Sequence, residues 1–199
     1  GKAGLFAKSI EGVDRRKLNA AIERLLKNDD GRARGTVPAV YKHLTYDELK
    51  PLLPAIYDSI RYQSPSGEMF ARGVRLKGLD LFAQYRIQEG MALCIHVMDI
   101  HKWGAKKRIP ACLETLETYG AAAKAVLPEL RVLERRIRGR KERTMAGHAD
   151  RVAVLIKKLE AAATDTRPLR TLDFPTPKLD LLGPEIPRPA GADETENQS

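Results

Sequence analysis

At an offset of 37 residues the chain repeats itself. Leu76, Leu79 and Phe82 map onto Leu113, Leu116 and Tyr119. At twice that spacing Lys50-Pro51-Leu52-Leu53-Pro54-Ala55-Ile56 maps onto Lys124-Ala125-Val126-Leu127-Pro128-Glu129-Leu130, so Ile56, Leu93 and Leu130 fall in one column. A period of this length belongs to a two-helix unit, which cannot bury its apolar face alone and shares that face with stacked neighbours. About three pairs fit before Arg138. The middle copy carries Met91 where the other two carry Pro54 and Pro128, so the repeat is degenerate.

Local patterning agrees with a helical chain. Asp14 is placed to cap a helix whose Leu18, Ala21, Ile22, Leu25 and Leu26 form one apolar face, with Gly31 and Gly35 expected to end it. Val37, Val40, Tyr41 and Leu44 suggest a short second element, and Thr45 with Glu48 makes a capping box that opens a helix over Tyr46 to Arg61. Further helices are expected over Glu68 to Tyr85, Ile87 to about His101, Ala105 to Tyr119, Ala121 to Arg138 and Arg143 to Ala163. No segment has the alternation and β-branched enrichment of a strand, which predicts an all-α fold.

The last 36 residues differ from the rest. Six of the twelve prolines lie between Thr164 and Ser199, and Pro175-Thr176-Pro177 and Pro187-Arg188-Pro189 cannot continue a helix. The chain divides into a helical body, residues 1–163, and a Pro-rich acidic tail, residues 164–199. Leu169, Leu172, Phe174, Leu179, Leu181, Leu182 and Ile186 are too many apolar side chains for a plain linker, so Leu169 to Ile186 is expected to lie along the body as an extended strap. Ala190 to Ser199 is expected to be disordered. The formal charge of +9 divides the same way, into a tail of −3 and a body of +12.

Composition removes several function classes. No apolar run approaches the roughly 20 residues that span a bilayer, because His96 and Asp99 interrupt the longest candidate at Met91 to Ile95. The chain opens Gly1-Lys2-Ala3-Gly4 without an initiator Met or an apolar leader, and is expected to be a processed or excised piece of a longer polypeptide. Two cysteines, Cys94 and Cys112, make no disulfide framework and leave the compartment open, with the cytoplasm favoured. They lie near His96 and His101 but lack CxxC or HxxxH spacing, so no metal is expected. No phosphate-binding glycine loop, EF-hand or nucleophile elbow is present, and no cofactor is expected. His43 and His148 have no nucleophile beside them in sequence, and Glu68, Arg72 and Arg75 read as an ion-pair face rather than an acid/base site.

Two basic segments are candidate contact surfaces. Around the only tryptophan, Trp103 could stack on a ligand while Lys106, Lys107 and Arg108 hold an anion. The plainer reading is that Trp103 covers a helix end and the cations solvate a turn. Arg131 to Arg143 contains Arg131, Arg135, Arg136, Arg138, Arg140, Lys141 and Arg143 against Glu134 and Glu142. It could neutralise phosphates, form a solvated face with Glu134 and Arg138 paired one turn apart, or receive the acidic tail.

Tyr119-Gly120-Ala121-Ala122-Ala123-Lys124-Ala125-Val126-Leu127-Pro128-Glu129-Leu130 resembles the bacterial HEAT-repeat pattern: a glycine turn, an Ala-rich entry, then aliphatic-Pro-x-Leu opening a second helix. Leu52, Leu53, Pro54 and Ile56 repeat its core. Ser64 to Ile137, with Pro65-Ser66-Gly67-Glu68-Met69-Phe70 and Trp103-Gly104, also resembles the helical C-terminal part of large uncharacterised bacterial multidomain proteins. The resemblance implies a HEAT/armadillo-like α-solenoid of about three helical pairs, followed by a C-terminal helix and the extended tail. It supplies no catalytic residues. The function it implies is a non-catalytic scaffold or interaction module, with a protein or a neighbouring domain of the parent chain as partner. Trp103, Lys106, Lys107, Arg108, Arg131, Arg135 and Arg138 are its expected contact residues. HEAT-like DNA glycosylases suggest the alternative, nucleic-acid binding in a basic groove, with Trp103 and Asp99 as the nearest counterpart.

Overall fold

The side chain of Asp14 accepts hydrogen bonds from the backbone N–H of Arg16 and Lys17, at 2.8 and 3.3 Å, and starts α1, Arg15–Leu26. That cap supplies acceptors to N–H groups that have no partner inside the helix. It is seen in a computed structural model that describes residues 10, 12–62, 68–102, 104–140, 143–179 and 181–182, with the side chains of 68–72 and 143–144 left aside. α1 ends at Leu26, ahead of the expected glycines. Gly31 instead opens a one-turn helix, α2 (Gly31–Arg34), because the Asp30 carboxylate accepts from the Arg32 N–H at 2.8 Å. α3 is Pro38–Tyr41, and α4 is Tyr46–Leu49, opened by the Thr45/Glu48 capping box.

Proline divides two of the expected helices. The stretch expected to run from Tyr46 to Arg61 tightens to a 3-10 turn over Lys50–Leu52 before α5, Leu53–Arg61. Pro51 and Pro54 have no N–H to return to the carbonyls four residues back, and the Leu53 N–H bonds the Lys50 carbonyl three residues back instead. Pro128 acts likewise: Gly120–Val126 is 3-10, and α9 runs Leu127–Arg138. Between them lie α6 (Glu68–Gln84), α7 (Glu89–Val97) and α8 (Ala105–Tyr119), and α10 (Arg143–Ala161) follows. Among the described residues the protein is mostly helical and has no strand.

α6 packs on α8, and α8 packs on α10. α5 packs on α6 and α7, while α7 lies against α6, α8 and the 3-10 turn that leads into α9. α9 packs on α10, and α1 to α3 close the other end against α5 and α6. The repeat columns are the core of this arrangement. Ile56, Leu93 and Leu130 are all fully buried, as are Leu79, Phe82, Leu116 and Tyr119. Met91 fills the place of the missing proline as a buried side chain.

The tail returns across the body. Leu169, Leu172, Phe174, Leu179 and Leu181 pack half-buried against the core, and Leu182 is buried. Residues 183–199, including the segment expected to be disordered, lie outside the described residues.

Candidate functional site

The two sequence-predicted basic segments fare differently: the first loses Arg108 from its surface, while the second shows the expected Glu134–Arg138 pair. Lys106 and Lys107 are exposed on the first turn of α8. Arg108 is corrected: it is fully buried, with Nε donating to the Val97 carbonyl at 2.8 Å and Nη2 donating to the carbonyls of Asp99 and Lys102 at 3.0 and 3.2 Å. A guanidinium is the one cation whose rigid fork can serve several backbone acceptors at once. Arg108 therefore closes the end of α7 and is not a contact-surface cation. Asp99 is buried too, accepting from the His101 N–H at 2.9 Å, with Lys102 at 3.5 Å. Trp103 lies outside the described residues.

On α9 the cations face acids of the body. Arg131 pairs with Glu160 at 2.7 Å, and Arg138 pairs with Glu134 at 2.9 Å and Asp150 at 3.1 Å. Arg135 is exposed. The tail reaches this run at Arg136, whose Nη1 donates to the Leu182 carbonyl at 3.1 Å, but the described tail acids Asp165 and Asp173 pair elsewhere. Arg75, read as part of an ion-pair face, is buried, and its Nε donates to the Ile60 carbonyl at 2.8 Å.

The residues that the fold does bring together surround Arg86, in the turn between α6 and α7. Arg86 adopts φ +55°, a left-handed conformation that a non-glycine residue takes up only when its surroundings hold it there. The Arg86 carbonyl and the Gln88 N–H, two residues on, are the groups this turn offers to the tail. The tail pairs with them as a parallel strand would: Arg170 N–H donates to the Arg86 carbonyl at 2.9 Å, and Gln88 N–H donates to the Arg170 carbonyl at 2.8 Å. The Arg86 side chain grips the same segment. Its Nη2 lies 3.0 Å from the Asp165 carboxylate and donates to the Arg167 carbonyl at 3.0 Å, while Nε reaches the Pro168 carbonyl at 3.4 Å. Both charged groups are largely screened from water, with side-chain exposures of 15% and 11%. Hydrogen bonds from Arg167, with the Arg86 charge added, hold the Asp165 carboxyl well below the usual carboxylate range.

The turn is anchored from beneath. Ile87 is fully buried, and its carbonyl accepts from the Tyr119 hydroxyl at 2.7 Å. Gly120, at φ +60°, leaves room beside the Asp165–Arg167 pair: a β-carbon there would stand 3.7 Å from Asp165 Oδ2. Beyond Arg170 the grip continues. The Leu172 N–H donates to Glu89 Oε1 at 3.1 Å, Asp173 pairs with Lys50 at 3.1 Å, and Phe174 meets the Tyr57 ring edge-on at 6.1 Å. The Arg170 guanidinium lies 4.1 Å from the centre of the Tyr46 ring, which contacts Tyr85.

No family model matches the chain, and no curated protein or solved structure does. The geometry alone carries the reading. Among the described residues no group of three or more His, Cys, Asp or Glu is placed to hold a metal ion, and no helix is long and apolar enough to cross a membrane. Cys94 and Cys112 are buried as thiols, and burial with the adjoining Cys112 pushes the Cys94 thiol upward, away from the nucleophilic form. His96 bonds the Arg61 carbonyl at 3.0 Å, and His101 Nδ1 faces Arg140 at 2.9 Å.

Sequence reading singled out the apolar tail side chains but not Arg86, Glu89, Lys50, Tyr46 or Tyr57. The tail had a usable signal: a leucine-rich segment too apolar to stay in water. Arg86 had none, since an arginine after a helix reads as a solvated turn.

Proposed function

We propose that this chain is a non-catalytic protein-interaction module, a HEAT-like stack of helical pairs that belongs to a longer bacterial polypeptide and meets a protein or a neighbouring domain. The observation that carries the reading is the hold of the helical body on an extended chain segment, through backbone pairing at Arg86 and Gln88 as well as through side chains. Peptide capture at an exposed backbone edge is a recurrent mode of protein recognition. The common burial of Ile56, Leu93 and Leu130 at a spacing of 37 residues supports the stacked-pair arrangement. The ion pairs of Arg131 and Arg138 count against the nucleic-acid reading, because phosphate contacts need those cations available.

Lys106 and Lys107, exposed at the start of α8, are the surface cations on which the module reading is tested. Their charge reversal, Lys106→Glu with Lys107→Glu, is expected to remove partners that the unaltered chain recovers from a lysate of its source. Recovery of the same partners by both proteins would sink this edge as a contact surface.

A further inference from the structure

We infer that the edge around Arg86 is a receptor for an extended segment of a partner protein that carries two spaced carboxylates and an aromatic ring, and that residues 165–174 are its occupant in the free chain. The inference rests on the interaction-module reading and names the segment such a partner would present. The recognition chemistry follows from what each position of the strap meets. The first position carries a carboxylate for Arg86, as Asp165 does at 3.0 Å. Five residues on, a residue other than proline must supply both an N–H to the Arg86 carbonyl and a carbonyl to the Gln88 N–H, as Arg170 does. Two further on, a second N–H meets Glu89 Oε1, as that of Leu172 does. A carboxylate for Lys50 and an aromatic ring for Tyr57 follow in immediate succession, as in Asp173 and Phe174. Arg86 and Lys50 each meet a strap carboxylate and Tyr46 meets the Arg170 guanidinium, so the edge selects carboxylates at two set positions with a cation between them.

The strap is held as a ligand is held rather than as a core element. From 164 to 179 every residue is exposed or half-buried, and the tail's described burial is concentrated at Leu182. The receiving turn is, by contrast, built from buried parts, with Ile87 and Tyr119 fully enclosed and Arg86 fixed at positive φ. A rigid receiving edge with a superficial occupant is the arrangement that permits exchange, since little core is opened when the occupant leaves.

The test uses the full chain with its own strap weakened by Asp165→Lys and Phe174→Ala, and a labelled synthetic peptide of residues 164–182 as probe. The weakened chain is expected to bind the peptide at least tenfold more tightly than the unaltered chain, in which the strap competes. Adding Arg86→Glu is expected to abolish binding of that peptide, whose Asp165 carboxylate would then face a carboxylate. A weakened chain that keeps its helical circular dichroism and cooperative melting, yet binds no peptide, would overturn the inference while leaving the Lys106 and Lys107 test untouched. Equal affinity of weakened and unaltered chains would overturn the strap's role as occupant. Loss of folding on weakening would overturn the receptor itself, because the strap would then be part of the core.

Discussion

Arg108 closes the C-terminus of α7 from outside that helix. Its three carbonyl acceptors belong to Val97, the last residue of the helix, and to Asp99 and Lys102 in the turn beyond it, and the Val97 carbonyl is one that a helix end leaves without a partner in the helix. Arg108→Ala is therefore expected to lower the unfolding free energy by about 3 kcal/mol, while Lys106→Ala and Lys107→Ala, on exposed positions, shift it by no more than about 0.5 kcal/mol. Arg108→Lys should recover little, because an ammonium on a flexible stem does not reproduce the fork. Urea unfolding of the four variants checks this, and a loss below about 1 kcal/mol for Arg108→Ala would refute the capping role. Three consecutive cations look alike as a sequence, and what separates them is helical phase: Arg108 is three residues on from the buried Ala105 and next to the buried Ile109. Gly90 makes a second prediction at this scale. A β-carbon there would collide with the Tyr119 hydroxyl and stand 2.9 Å from the Phe82 β-carbon. Gly90→Ala is expected to cost about 2 kcal/mol by overpacking, and thermal melts of Gly90→Ala beside Gly73→Ala, whose β-carbon meets open space, provide the comparison.

At the scale of elements, the strap and the α6–α7 turn are coupled through Asp165. Its carboxyl is held below the usual range near pH 4 by Arg167 and Arg86. Arg167 travels with the strap, so release removes only the Arg86 share of this depression; docking is fully favoured above about pH 4 and weakens as pH falls below it. Protection of the Arg170 N–H, which bonds the Arg86 carbonyl, is expected to fall over that acid range when exchange is taken relative to the intrinsic rate at each pH. In Asp165→Asn the exchange should be faster at neutral pH and lose most of its acid dependence. An unchanged acid profile in that variant would place the pH sensitivity elsewhere. The helical elements were largely legible from local rules: Asp14, Thr45 and Glu48 cap where their chemistry says, and Ala105–Tyr119 forms one helix as expected. The 3-10 turns before α5 and α9 were written in Pro51, Pro54 and Pro128. The docking of Arg170 on Arg86 was not legible, because two backbone groups 84 residues apart leave no mark on side-chain pattern.

For the whole molecule, the distribution of charge governs what it attracts. The body's excess of cations suggested a polyanion-seeking surface covered by the acidic tail, yet Asp165 and Asp173 answer Arg86 and Lys50, and Arg131 and Arg138 of α9 are answered by Glu134, Asp150 and Glu160. The basic run was legible as a run, and so was the pairing of Arg138 with Glu134 one turn away; Asp150 and Glu160 were not, because they lie on α10, far along the sequence. Neutralising those partners with Glu134→Gln, Asp150→Asn and Glu160→Gln is expected to release Arg131 and Arg138. Each released arginine that meets a phosphate should add about 0.9 to the slope of log affinity against log salt, so duplex binding should steepen by about 1.8. Asp165→Asn with Asp173→Asn raises the net charge almost as much but exposes Arg86, which lies only 15% open beside the Tyr119 carbonyl, and Lys50 at the opposite end of the strap. Those two cations do not form one surface, so the strap variant should strengthen binding without a comparable rise in slope. A salt series on the two variants separates the possibilities. Equal slopes would mean that net charge rather than the α9 surface sets polyanion affinity, and a steeper slope for the strap variant would restore the tail as the cover of the basic run.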